Sequence, residues 1–479
     1  MMKLKAYYII LLCCSFFSAE LSAQNAAQNA IQKFESDPQL AGSSIGFCAI
    51  DAQNGKTIAA SQNQLNLAPA SVQKLITTAA ALDMLGTDYQ FTTAFYVDTI
   101  YSSSKATLRL TIKAGGDPTI GSKYFFGNAA NQLMGAWAKA ILKQSQTKQF
   151  DEIIVDLSAY DTQYLPNTWI WEDIGNYYGT GIYALSLFDN TCTLHFNSPS
   201  KADKPTTITH ISPKSAKINI DNQVLSSNIE QDKAFAFGSP LDSHRVIRGT
   251  IPKDRSNFSV KIALPSPPLT LAEELASQLQ AQGAQVKKIK LSYAPVATKN
   301  LVFAHHSPKL SQIVNITNHE SVNLFAEHLV KQLAYEKYGQ GNFNQGLQLI
   351  KDYWKKQGID FAFLEDGSGL SRFNTIRAEQ LTEALYKCAQ NPQIANAFFG
   401  SLPIAPKGTL WYFNKKTFPN NCLRAKSGSM TRIRSFAGEL KTDSGKTVLF
   451  TIIVNNFPVS QSEIIKKIQK LLSEIKENY

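Results

Sequence analysis

What this chain of 479 residues lacks narrows its function before any motif is read. Its six cysteines (Cys13, Cys14, Cys48, Cys192, Cys388 and Cys422) include no C-x-x-C pair, so nothing points to a zinc knuckle or thioredoxin-like redox chemistry. Beyond the N-terminus no apolar run approaches the ~18 residues of a membrane-spanning helix. There is no internal repeat and no low-complexity tract. His305, His306 and His319 lack partners at metal-ligand spacing, and no cofactor is expected. Acid is in short supply: 48 Lys and Arg face 37 Asp and Glu, a net charge of +11. Such a balance suits anionic surroundings, a cell wall or a membrane surface. No basic stripe with interleaved aromatics accompanies it, which argues against nucleic acid.

What is present begins with a leader. Lys3 and Lys5 precede an apolar stretch from Ala6 to Phe17, and Leu21-Ser22-Ala23 offers a small-residue cleavage site before Gln24. Residues 1–23 therefore read as a secretory signal peptide. Leu12 and Cys13 precede Cys13 and Cys14, where lipoprotein processing needs a small residue. The mature chain is expected in the periplasm or cell-wall space, where disulfides are permitted but not specified by this spacing.

Along the chain, residues 25–35 read as a helix. Strands from Ser44 to Ile50 and Lys56 to Ser61 flank an Asn54-Gly55 turn. Residues from about 93 to 300 form short alternating runs between Gly, Pro and Asn turns, with a proline-rich loop from Leu264 to Pro268. Helical patterns return at Leu310 to Ile316, Glu320 to Tyr338, Asn344 to Gln357 and Arg377 to Ala389. Strands follow at Ser435 to Leu440 and Thr447 to Asn455. The last helix carries an apolar stripe of Ile464, Ile468, Leu471, Leu472 and Ile475, suited to packing on a sheet. Its Lys466, Lys467 and Lys470 face leaves peripheral membrane association open. The expectation is one α/β domain, residues 24–92 and 301–479, interrupted by a β-rich insertion, residues 93–300, with two nested subdomains.

Three short segments carry chemistry. Ser71-Val72-Gln73-Lys74 opens an alanine-rich helical run that ends at Gly86. Residues three apart on a helix share a face, so a hydroxyl and an amine stand together at its start, a nucleophile beside a base. Ser321-Val322-Asn323 opens a later helix, and Lys426-Ser427-Gly428 precedes the two C-terminal strands. Each alone is a common pattern, a helix cap or a basic turn. In this order in an exported chain they match the three-part signature of penicillin-recognising serine enzymes.

The chain resembles the class C low-molecular-mass penicillin-binding proteins, the D-alanyl-D-alanine carboxypeptidase/endopeptidases, over essentially its whole mature length. The resemblance extends to Gly115-Gly116-Asp117-Pro118-Thr119, to the run from Trp169 to Gly179, to Asp366-Gly367-Ser368-Gly369-Leu370-Ser371-Arg372, and to a large insertion between the first two motifs. Val322 stands where many relatives have a polar residue, and Ser427 where threonine is commoner; both leave the catalytic groups intact.

The resemblance implies a penicillin-binding transpeptidase-like fold, an antiparallel sheet flanked by helices. It implies action on peptidoglycan stem peptides and cross-links, with Ser71 acylated by those peptides or by β-lactam antibiotics. Lys74 would be the base, Ser321 a proton relay, and Asn323 the residue that orients Lys74 and the substrate amide. Lys426 and Ser427 would hold the terminal carboxylate, and the amides of Ser71 and Ser429 would form the oxyanion hole. An unperturbed lysine is neutral in only about one molecule in 2,500 at pH 7, so burial and the charge of Lys426 are expected to lower the Lys74 pKa. Asp366 reads as a turn bordering the site, Asp117 and Asp173 as scaffold. A serine β-lactamase shares the motifs but normally lacks so large an insertion, and intact catalytic residues argue against a cell-wall scaffold without activity. Oligomeric state is open, a homodimer included.

Overall fold

A computed structural model describes residues 24–102 and 105–479; for residues 102, 105, 128, 130 and 131 it describes the backbone alone. The predicted signal peptide, with Cys13 and Cys14, lies outside the described residues. The chain divides into two compact units. The first comprises the described residues up to Thr87, with Val314–Ser321 and Ile350–Tyr479; the second comprises Asp88–Ile313 and Val322–Leu349.

The first unit is built on a five-stranded antiparallel sheet, ordered Leu423–Met430, Ile433–Lys441, Thr447–Asn455, Ser44–Asp51, Thr57–Ser61. Its central strands, TVLFTIIVN and SIGFCAID, are buried at every position but the first and mostly apolar, because helices cover both faces. The helix at 24–35 and the C-terminal helix Gln461–Asn478 cover one face. Ala27, Ile31 and Phe34 share a core there with Phe436, Phe450, Ile452 and Val454. The expected stripe from Ile464 to Ile475 lies in that core, each residue at most 2% exposed. Ser460 and Glu463 close a capping box at the start of this helix, and Lys467 is paired to Asp37. The helix Ala378–Gln390 packs on the central strands, and the helix Lys74–Leu85 packs against it.

The second unit combines a mixed five-stranded sheet, ordered Ile289–Ser292, Glu152–Asp156, Lys105–Lys113, Thr92–Ser102, Leu301–His306, with a sandwich of two three-stranded sheets. One sandwich layer is Lys233–Phe237, His244–Pro252, Asn219–Ser227; the other is Arg255–Ala263, Thr191–Ser198, Thr207–Ser212. Leu194, Phe196, Val224, Ile247, Val260 and Ile262 fill the space between them. The stretch read from sequence as strands and turns also holds two long helices, Ala130–Ser145 and Pro267–Ala281. The second corrects the reading of a proline-rich loop. Pro267 and Pro268 occupy the first helical turn, where a missing N–H costs nothing and the fixed φ favours the helix. Cys48, Cys192, Cys388 and Cys422 are all buried free thiols. Among the described residues no helix is long and apolar enough to cross a membrane.

Candidate active site

The Ser71 segment is not a simple helix start. Ala70 takes a positive φ of 50°, a tight 3-10 turn spans Ala70–Gln73, and the α-helix begins only at Lys74. With three residues per turn, the 3-10 geometry eclipses residues three apart more closely than an α-helix does. Ser71 Oγ therefore lies 3.1 Å from Lys74 Nζ. The serine is half-buried, whereas Lys74 is fully buried. A non-glycine residue at positive φ immediately before Ser71 is stored strain of the kind that clusters at reacting centres.

The loop from Asp366 to Gly369 buttresses this turn. Three successive carbonyls dock on it: Asp366 O accepts from Gln73 Nε2, Gly367 O from Thr77 Oγ1 at 2.7 Å, and Ser368 O from Lys74 Nζ at 2.7 Å. The buried Asp366 carboxylate holds the loop in shape. It accepts from Gly369 N at 2.7 Å, Ser371 N at 2.6 Å and Asn374 Nδ2 at 2.8 Å. A Cβ on Gly369 would fall 2.0 Å from Ala70 O, so only glycine permits this approach. Asp366 is thus a positioning residue for the Lys74 amine. Ser368, Gln73 and Thr77 were not singled out from the sequence, although the Asp-Gly-Ser-Gly run was the available signal.

Lys426 lies on the edge strand of the sheet, fully buried. Its Nζ donates to Ser321 Oγ at 2.8 Å and to Ser427 O at 2.7 Å. Ser321, at a positive φ of 60°, occupies the break between the helix Leu310–His319 and the helix that starts at Asn323. Gly428 brings this strand against the Ser71 turn: a Cβ there would stand 2.7 Å from Pro69 O and 3.0 Å from Ser71 N. Ser435, paired opposite Gly428, hydrogen-bonds Pro69 O from the next strand. Ser427 is buried and Ser429 exposed.

Electrostatically, Lys74 and Lys426 bring two fully buried amines to the site. Burial first, and the charge of Lys74 second, push the Lys426 amine well below the usual lysine range. Two ammonium groups that disfavour each other titrate as a pair, so the protonation of Lys426 is tied to that of Lys74.

In the second unit, Asn323 is the first residue of the helix Asn323–Tyr338, and its Nδ2 donates to Tyr178 O at 2.9 Å. The Gly-Gly-Asp-Pro-Thr segment braces this same helix. His328 Nδ1 lies 2.8 Å from Gly116 O and its Nε2 lies 3.0 Å from Ser186 Oγ. Asp117 turns inward on Thr119, whose N and Oγ1 both donate to it at 2.7 Å, and burial raises its pKa to about 6.

A hydroxyl–amine pair at the head of a buried helix, in a turn packed against an antiparallel sheet, with a second hydroxyl–amine pair reaching from the edge strand, defines a serine acyl-transfer enzyme of the penicillin-binding type. The model of the D-Ala-D-Ala carboxypeptidase 3 (S13) family matches residues 27–479, and the chain belongs to that family. It is accordingly a serine-type D-Ala-D-Ala carboxypeptidase, a hydrolase.

Its relatives include a D-alanyl-D-alanine carboxypeptidase of Actinomadura sp. (strain R39), 26% identical over 437 residues, which covers 88% of this chain and 79% of that protein. The D-alanyl-D-alanine carboxypeptidase DacB of Haemophilus influenzae is 25% identical over 434 residues, covering 88% of this chain and 87% of that one. The fold matches the crystal structure of penicillin binding protein 4 from Haemophilus influenzae with a TM-score of 0.78. That match covers 93% of this chain and 98% of the other at 22% identity.

Proposed function

We propose that this peptidase cleaves the D-Ala-D-Ala bond of peptidoglycan stem peptides, and peptide cross-links, through an acyl-enzyme on Ser71. The observation that carries the reading is the 3.1 Å approach of Ser71 Oγ to the amine of a fully buried lysine, Lys74. Neutral Lys74 takes the hydroxyl proton as Oγ attacks the penultimate carbonyl. Charge developing on the carbonyl oxygen is met by the backbone amides of Ser71 and Ser429. Collapse of the tetrahedral adduct expels the leaving amine, D-alanine or the cross-linked side chain. That amine takes up a proton relayed through Ser321. Water then attacks the ester and releases the shortened peptide, with Ser71 regaining its proton. A β-lactam enters the same first step and leaves a stable ester.

Lys426 and Ser427 anchor the substrate carboxylate. A buried lysine whose amine is held well below the usual range gains most from such an anion. An arriving carboxylate stabilises the charged form of Lys426, and the charge on Lys426 in turn favours the neutral, basic form of Lys74. Substrate binding and base activation are coupled in this way. Asn323 orients the substrate amide. The leader-like residues 1–23 and the net positive charge support action outside the cytoplasm, in the periplasm or cell-wall space.

Mass spectrometry of muropeptides incubated with the purified protein tests this reading. Pentapeptide muropeptides should lose their terminal D-alanine and cross-linked dimers should fall to monomers, while Ser71→Ala does neither. Equal product from the Ser71→Ala protein would sink the assignment.

A further inference from the structure

The second unit presents one surface that the peptidase chemistry does not use. The sandwich layer of Lys233–Phe237, His244–Pro252 and Asn219–Ser227 buries Ala236, Ile247, Ile251 and Val224 on its inner face. Its outer face carries Phe235, Phe237, Arg248, Gln223 and Asp221, placed side by side by the register, with Phe235 opposite Arg248 and Arg248 opposite Gln223. Arg248 Nε donates to Gln223 Oε1 at 2.9 Å, and Gln223 Nε2 donates to Asp221 Oδ2 at 2.6 Å. The guanidinium stands 5.9 Å from the centre of the Phe237 ring, and Trp171 lies 6.3 Å from that ring at a shallow 34° tilt.

Trp171 is 60% exposed and Phe235 37% exposed, yet the loop that bears Trp171 is pinned to the sheet. Asn176 Oδ1 accepts from Ala236 N at 2.9 Å, its Nδ2 donates to Glu172 O at 2.7 Å, and a Cβ on Gly175 would fall 2.6 Å from Ala236 O. The backbone beside Trp171 is therefore held against the sheet, which sets its ring and those of Phe235 and Phe237 on one face, and exposed aromatic surface of this kind marks an interaction site.

We infer that this face binds the sugar backbone of peptidoglycan, a β-linked strand of N-acetylated amino sugars. A pyranose ring has an apolar C–H face and a rim of hydroxyl and acetamido groups. Flat aromatic rings match the face. A row of planar polar side chains, already oriented by bonds to one another, matches the rim, and its opposed charges suit a ligand that is polar rather than strongly anionic. The inference rests on the peptidoglycan reading above, because stem peptides hang from such strands. A contact of this kind holds the enzyme on the polymer while the peptide is cut, raising the local concentration of stems.

Peptide-free glycan strands, prepared by amidase digestion of peptidoglycan, are titrated into the full mature protein with tryptophan fluorescence as the readout. Turnover of a soluble sugar-free D-Ala-D-Ala peptide is measured alongside. Phe235→Ala with Arg248→Ala should weaken glycan binding by roughly tenfold or more. The milder Gln223→Ala should weaken it less, and both variants should turn over the soluble peptide like the wild type, which also certifies their folding. Wild-type protein that ignores the glycan strands, or variants that bind them undiminished, would overturn the inference. So would retention of a protein ligand on this face without glycan binding. Glycan binding by a protein that fails to cleave the soluble peptide would instead refute the peptidase reading and leave this one standing.

Discussion

Gly428 is where the edge strand and the Ser71 turn come closest, and replacing it with alanine tests the site geometry sharply. The added Cβ would stand 2.2 Å from Ser435 Oγ, 2.7 Å from Pro69 O and 3.0 Å from Ser71 N, whereas ordinary contact starts at 3.4 Å. The Ser435 hydroxyl can rotate aside, at the loss of its bond to Pro69 O. The backbone atoms cannot rotate. Strand and turn must part by about 0.7 Å, and overpacking of this kind typically costs about 1–3 kcal/mol. Lys426 and Ser427 move with the strand, and a shift approaching 1 Å between the proposed nucleophile and the proposed substrate anchor costs on the order of a hundredfold in rate. The assay is the second-order rate of acylation by a fluorescent penicillin, with thermal unfolding in parallel. Gly428→Ala should acylate roughly a hundredfold more slowly and unfold several degrees lower. Adding Ser435→Gly should recover little stability and little rate, since the Pro69 carbonyl still obstructs. Acylation of Gly428→Ala at the wild-type rate would refute the reasoning.

Lys74→Arg keeps a positive charge but cannot shed a proton near neutrality, so acylation should fall by on the order of a thousandfold or more; unchanged penicillin labelling of that variant would remove Lys74 as the base. Lys426 is depressed in the folded state, so the unfolded chain binds more protons between its folded and unfolded pKa values, and stability gains as pH rises through that window. The stabilisation conferred by Lys426→Met, read as a difference in Tm, should therefore shrink between pH 7 and pH 10. His328 is held down to about 3, by burial above all, so stability is lost as pH falls from about 6.5 toward 3. Asp117, raised to about 6, works in the opposite direction over the upper part of that range. His328→Gln should flatten the acid limb of a Tm-against-pH profile, at a cost of about 1–3 kcal/mol for the disturbed bonds to Gly116 and Ser186.

Much of the candidate site was legible because its residues are local in sequence. Ser71 with Lys74, and Lys426 with Ser427 and Gly428, are short segments that the fold brings together, and their residue types support the proposed roles of nucleophile, base and anion anchor. The C-terminal stripe was legible for the same reason, since its helical period reports burial directly. What could not be read was geometry set by backbone strain and long-range contact. Nothing in the Ser71 segment announces that Ala70 takes a positive φ and that a 3-10 turn, not an α-helix, brings the two groups together. The pairing of Ser321 with Lys426 joins residues far apart in the chain. The role of Ser368 is carried by its carbonyl, and a backbone acceptor has no residue signature. The missed helix at Pro267 reflects a local rule outweighed by another, proline as breaker against proline as a favoured first residue.

The most direct test of the central claim is peptide mapping of the penicillin-treated protein by mass spectrometry. A single acyl adduct on the peptide that contains Ser71, absent from Ser71→Ala, is the predicted result. An adduct on any other residue, or none on a protein that still releases D-alanine, would contradict it.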